Sequence, residues 1–239
     1  MLDVVARCAL SPYLAWQAYN VRKSALKLPD ASGERSGKRG TGPDLRLLIV
    51  GDSSAAGVGA SHQEEALLGH MLRRLTQTNT VTWAVNAKTG STTPETMDRV
   101  RDMPSEKYDL ISVSLGVNDI TSLTPVHIWI RRYAELLALL EDKFAPDVLC
   151  INGIPRMQYF PLLPQPLRWI VGAQAARYDR ALRKMVQHRS NCRYVELDFE
   201  PEPSLMSPDG YHPGPKIYAE WGRKVYRSIR NDVRQMTIN

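Results

Sequence analysis

The chain has 239 residues, 43% of them hydrophobic and 23% charged, which suits one domain with a full core and excludes a fibrous or wholly disordered polymer. Its formal net charge is +6, but residues 1–40 hold seven Arg or Lys against three acidic residues, leaving only +2 for the rest. That distribution describes a basic prefix and argues against a nucleic-acid-binding surface. Cys8, Cys150 and Cys192 form no CxxC pair, and Cys150 and Cys192 fall in strand-like runs, so they read as small buried hydrophobes and not as metal or redox groups.

The prefix, residues 1–44, is expected to be a helix followed by a linker. Its longest uncharged piece, Cys8 to Val21, is 14 residues and includes Gln17 and Asn20, too short and too polar for a confident membrane span. The start lacks the basic leader and small-residue cleavage site of a secretory signal, so the expected location is the cytoplasm. Tyr13, Trp16 and Tyr19 precede Arg22, Lys23 and Lys27. Such a helix could lie at a membrane interface, pack on the domain surface, or meet a second subunit in a homodimer. Residues 30–43, rich in Gly, Ser and charge, read as a flexible linker.

The domain proper is expected over 45–239. Leu45 to Val50 is an apolar strand that empties into Gly51-Asp52-Ser53, which should expose the Ser53 hydroxyl at a strand end. Gln63 to Leu75 has helical apolar spacing, and Thr80 to Val85 is a second strand that ends before Asn86-Ala87-Lys88-Thr89-Gly90. Pro94 opens a short helix. Tyr108 to Leu115 is a continuous apolar run, as a parallel strand covered on both faces requires, and it delivers Gly116 to Asp119 to the same edge. A helix from Pro125 to Phe144 carries Trp129, Tyr133, Leu136, Leu137 and Leu140 inward, and a fourth strand runs from Val148 to Ile154.

Pro155 to Leu167 is too apolar for an ordinary surface loop. Met157, Phe160, Leu163 and Leu167 are candidates for the wall of an acyl pocket, unless they merely cover the core. A helix from Trp169 to His188, a strand from Arg193 to Phe199, the stretch Asp209 to His212 and a last helix from Pro215 to Arg230 complete the chain. Strand followed by helix, five times over, predicts a three-layer α/β/α domain with a parallel sheet.

A serine hydroxyl attacks a carbonyl well only when a neighbouring base takes its proton and a third group orients that base. Asp209 and His212, three residues apart, can place both side chains on one side of a turn, and Ser53 would complete the set. The other histidines, His62, His70, His127 and His188, have no partners at metal-ligand spacing. Gly57 and Gly59 are not followed by the Gly-Lys-Ser/Thr of a phosphate loop.

Gly51-Asp52-Ser53, Gly90, Gly116 with Asn118, and Asp209 with His212 occur in the order of the four blocks of the SGNH hydrolases, also called GDSL lipases and esterases, and the chain resembles that superfamily from about Leu45 to Asp232. The second block departs from the usual Asn-x-Gly. The resemblance implies a flavodoxin-like five-stranded parallel sheet, no metal or organic cofactor, and hydrolysis of a small-molecule ester or thioester through an acyl-enzyme. It assigns Ser53, Asp209 and His212 as the catalytic triad, and the N–H groups of Ser53 and Gly90 with the Asn118 amide as the oxyanion hole. Asp52 and Asp119 become supporting residues. A short- to medium-chain acyl ester is the expected substrate; a thioester, a lysophospholipid, a sugar acetate, or a silent scaffold that kept the fold are the alternatives.

Overall fold

A computed structural model describes residues 9–199 and 202–238. Cys8 and the rest of residues 1–8 lie outside the described residues.

The first helix, α1 (Ser11–Ser24), begins with Pro12 in its first turn, where a missing N–H costs nothing. It is followed by β1 (Ser36–Arg39), β2 (Asp44–Gly51), α2 (Leu67–Leu75), β3 (Thr80–Ala87), α3 (Thr93–Asp102), β4 (Leu110–Ser114), α4 (Val117–Thr121), α5 (Val126–Phe144), β5 (Val148–Asn152), α6 (Leu167–Val186), β6 (Cys192–Val195) and α7 (Pro215–Ile238). The sheet order is β1-β3-β2-β4-β5-β6, with β1 antiparallel to β3 and every other pairing parallel.

The three-layer α/β class is the expected one, but the sheet has six strands instead of five. The extra strand, β1, lies in the stretch expected to be a flexible linker. Its Ser36 to Arg39 pair in register with Ala84 to Val81, and Ser32 bridges to His62 just before it. Two small residues followed by two basic ones concealed a strand whose only pairing face is the open edge of β3.

Leu47, Leu48, Ile49 and Val50 of β2 are fully buried because helices cover both faces of the sheet. On one side Leu45, Leu47 and Ile49 pack with Leu68, Met71 and Leu72 of α2 and with Tyr218, Trp221 and Val225 of α7. On the other, Leu48 and Val50 meet Val100 of α3, Trp129, Tyr133 and Leu137 of α5, and Tyr178 and Leu182 of α6. The chain leaves β2 to form β3 on one side and returns to place β4 on the other. Ser53 therefore follows the strand at the reversal of strand order, where open α/β sheets form a ligand crevice.

Cys150 and Cys192 are buried, unpaired thiols as expected. Burial pushes their pKa values up to about 12 and about 11, which keeps them protonated and unreactive.

Candidate active site

The residues after β2 turn sharply. Asp52 carboxylate Oδ1 accepts the Ser54 N–H at 3.1 Å, and the Tyr218 hydroxyl reaches in from α7 to donate to the carbonyls of Val58, at 2.7 Å, and Ser54, at 3.1 Å. These bonds fix the turn that presents Ser53.

The segment that carries His212 is equally constrained. Asp209 Oδ1 accepts from Ser207 Oγ at 2.6 Å, Tyr211 N at 2.9 Å and His212 N at 3.0 Å, while Oδ2 lies 2.6 Å from His212 Nδ1. Burial opposes ionisation of Asp209, yet the bonds from the His212 ring and main chain, Ser207 and Tyr211 outweigh it and hold the carboxyl well below the usual range. An ionised Asp209 only accepts, so the ring proton sits on Nδ1 and Nε2 is free to accept from Ser53 Oγ, 2.9 Å away. Ser53, His212 and Asp209, separated by up to 159 residues in sequence, form one continuous hydrogen-bonded chain.

Gly90 lies in the turn after β3 with φ +82°, a left-handed conformation that favours glycine. Among the described residues no acceptor takes its N–H or that of Ser53. Asn118 opens α4, and its Nδ2 donates to Ser91 O at 3.0 Å and more distantly to Asp52 Oδ2 at 3.3 Å. Asp119 faces away from the cleft: fully buried, it accepts from Thr93 N at 3.1 Å and Thr93 Oγ1 at 3.0 Å, tying α4 to the start of α3.

Arg99 is the member the sequence did not disclose. From α3 its guanidinium reaches Asn86 Oδ1 at 3.1 Å, Ser91 Oγ at 2.7 Å and Gly51 O at 3.0 Å, so it clamps the Gly90 turn to the end of β2. An arginine between Asp98 and Val100 on a helix reads as a solvated charge, and nothing in its neighbours signals otherwise. Ser207 also escaped notice, although Ser-Pro-Asp-Gly is a turn signature.

Two apolar recesses meet at Tyr211 and His212. A small cleft of ≈ 70 Å³ is bordered by Ser53, Leu115, Phe160, Met206, Ile217 and Trp221. A larger groove of ≈ 280 Å³ runs between α1, the end of α4 and the start of α6, bordered by Ala18, Val21, Leu26, Leu123, Leu163 and Leu167. The segment after β5 thus divides: Phe160 faces the cleft and Leu163 and Leu167 the groove, but Met157 borders neither. It is fully buried in the core under α6, a correction to its expected place in the wall.

Helix α1 packs on the domain. Leu14 and Gln17 are buried, and the Gln17 amide both donates to Gln165 O at 2.7 Å and accepts from Leu167 N at 3.2 Å.

A model of the GDSL-like lipase/acylhydrolase family matches residues 49–220. The GDSL-like esterase Rv1075c of Mycobacterium tuberculosis is 27% identical over 241 residues, covering 91% of this chain and 76% of that protein. Among solved structures, a family 3 carbohydrate esterase of Clostridium thermocellum superposes with a TM-score of 0.64 at 15% identity, over 81% of this chain and 99% of the other. A lipase from a goat rumen metagenome gives 0.61 at 17%, over 77% and 97%. Axe2, an acetylxylan esterase from Geobacillus stearothermophilus, gives 0.58 at 15%, over 79% and 95%. At such identities the structures speak to the fold alone.

Proposed function

The chain belongs to the GDSL-like lipase/acylhydrolase family, and from that premise we propose that it is a serine carboxylic ester hydrolase that cleaves short- to medium-chain acyl esters through an acyl-enzyme. The observation that carries this reading is the chain of contacts from Ser53 Oγ through His212 to Asp209, at 2.9 and 2.6 Å.

In the proposed cycle, Ser53 Oγ attacks the ester carbonyl carbon as His212 Nε2 takes the hydroxyl proton, and Asp209 stabilises the imidazolium. The negative charge that develops on the carbonyl oxygen meets the N–H groups of Ser53 and Gly90 and the Asn118 amide, whose longer bond to Asp52 is the one to yield. Collapse breaks the bond to the alcohol, which leaves with the proton from His212. Water then attacks the acyl-serine, gives its proton to His212, and the proton returns to Ser53 as the acid departs.

The two recesses divide the substrate. The apolar lining of the groove supports a hydrocarbon chain there over a sugar, and the cleft has room for a small group only. That difference in room favours a lipid-like ester over the polysaccharide substrates named for several structural neighbours.

The test is hydrolysis of p-nitrophenyl esters from acetate to palmitate by the intact chain and by Ser53→Ala. The expected result is an optimum at an intermediate chain length that disappears in the variant. Equal activity in both would overturn the assignment of Ser53. A thioester preferred over every oxygen ester would leave the triad standing and replace the substrate class.

A further inference from the structure

The surface around the groove is unlike the rest of the described molecule. Its large apolar side chains that are more than a third exposed all lie in three places, residues 10–26, Leu123 and residues 159–169, and these same segments wall the groove or adjoin its walls. Soluble surfaces scatter such residues; a cluster at the mouth of an apolar recess marks a contact site.

Helix α1 supplies the centre of the cluster. Tyr13, Trp16 and Tyr19 recur every third residue along one side, with Trp16 58% and Tyr19 64% exposed, while Leu14, Gln17, Ala18 and Val21 turn toward the domain or the groove. Tyr13 stacks on Trp16 with centroids 5.6 Å apart, so the ridge is preformed. Leu26 and Leu123 border the groove and are themselves 55% and 77% exposed, which places them at its rim. Residues 9–29 contain Arg22, Lys23 and Lys27 and no acidic residue. No helix among the described residues is long and apolar enough to cross a bilayer.

Aromatic rings with a polar tip, an apolar rim and cations of one sign together match one kind of partner, the headgroup region of an anionic lipid surface. We propose that the face formed by α1, Leu123 and the start of α6 docks on such a surface, and that the groove then opens toward the acyl chains and leads one of them to His212. The docking stands on the surface alone; the use of the groove rests on the ester-hydrolase reading.

The experiment uses the full chain carrying Ser53→Ala, so that lipid is not consumed. It is sedimented with vesicles of phosphatidylcholine alone or mixed with phosphatidylglycerol. Binding to the mixed vesicles should be at least about tenfold tighter than to the neutral ones. Adding Trp16→Ser and Tyr19→Ser should weaken it about tenfold or more. With Ser53 restored, that aromatic variant should hydrolyse a dissolved short-chain p-nitrophenyl ester as the parent does, and lose activity on the same ester dispersed in anionic vesicles. Failure of the intact chain to sediment with either vesicle, or equal binding by the aromatic variant, overturns the docking. So does a dimer in sedimentation velocity that the same variant disperses, which would give the face to a second copy. Vesicle binding without any esterase activity would instead remove the hydrolase reading and leave the docking in place.

Discussion

At the scale of single residues, the site is a contest between burial and hydrogen bonding, decided differently for each carboxylate. Asp209 has enough donors to stay ionised. Asp52 and Asp119 do not: burial, only partly offset by the Ser54 N–H for Asp52 and by Thr93 for Asp119, lifts both to about 6. The folded protein therefore holds protons that the unfolded chain gives up above about pH 4. Stability from these two groups is fully present below that value and falls as pH rises to about 6, by at most about 1.4 kcal/mol per unit for each. Urea unfolding at several pH values should show Asp119→Asn losing less stability over that window than the parent; parallel curves would refute it. Arg99 works by position. Arg99→Met should free the Gly90 turn and lower kcat about 10- to 100-fold with KM nearly constant, while Asn118→Ala, which removes one of the proposed oxyanion donors, should lower kcat about 10²- to 10³-fold. Steady-state kinetics separates the two. The contacts among Ser53, His212 and Asp209 could be read from the sequence because Gly51-Asp52-Ser53 follows an apolar strand and Asp209 and His212 share one turn; Arg99 could not, because its partners come from β2, β3 and the Gly90 turn and only the fold brings them near.

At the scale of elements, how the loops fit against one another matters more than their composition. The turn after Ser53 and the segment bearing His212 are pressed together at Gly59, which has φ +98°. A Cβ there would penetrate the carbonyl oxygen of Pro213 and crowd Ser207. The sequence offered Gly57 and Gly59 only as a weak hint of a phosphate loop, since what they accommodate comes from distant parts of the chain. Gly59→Ala should displace His212 and cost activity at least about 10-fold in kcat at temperatures where circular dichroism still reports a folded protein; retained activity would show that the segment yields. The groove gives a second element-scale prediction. Val21→Trp would fill it from α1, so hydrolysis of long-chain p-nitrophenyl esters should fall relative to acetate; an unchanged chain-length profile would place the acyl chain elsewhere. The segment after β5 could be picked out in the sequence as too apolar for an ordinary loop, but not which of its side chains would face which recess and which the core. A short helical turn at Met157–Tyr159 turns the chain there, and the prolines at 155, 161, 164 and 166 around it hide that turn in the sequence.

At the scale of the whole molecule, the parallel strands and both helical layers follow from runs and periods in the sequence, because burial on two faces demands continuous apolar strands and one-sided helices. The antiparallel strand β1 did not: Gly37 lies against the Trp83 ring while Arg39 covers that ring and pairs with Glu64, and such edge contacts put no apolar period into the sequence. That strand lies ahead of residue 49, where the match to the family model begins. Its neighbour β3, Thr-Val-Thr-Trp-Ala-Val-Asn-Ala, carries no charge, whereas β1 places Lys38 and Arg39 on the outermost edge. Charge on an outer strand discourages further strand addition, and an uncharged β-rich edge invites it. A fragment that begins at residue 43 would thus keep Ser53, Asp209 and His212 and lose its protection against polymerisation. Static light scattering of residues 43–239 should reveal growing aggregates under conditions where the full chain stays clear, and a fragment that stayed equally clear would refute this. The basic stretch that joins α1 to the rest of the fold would then also be the guard that keeps neighbouring molecules from knitting their sheets into one.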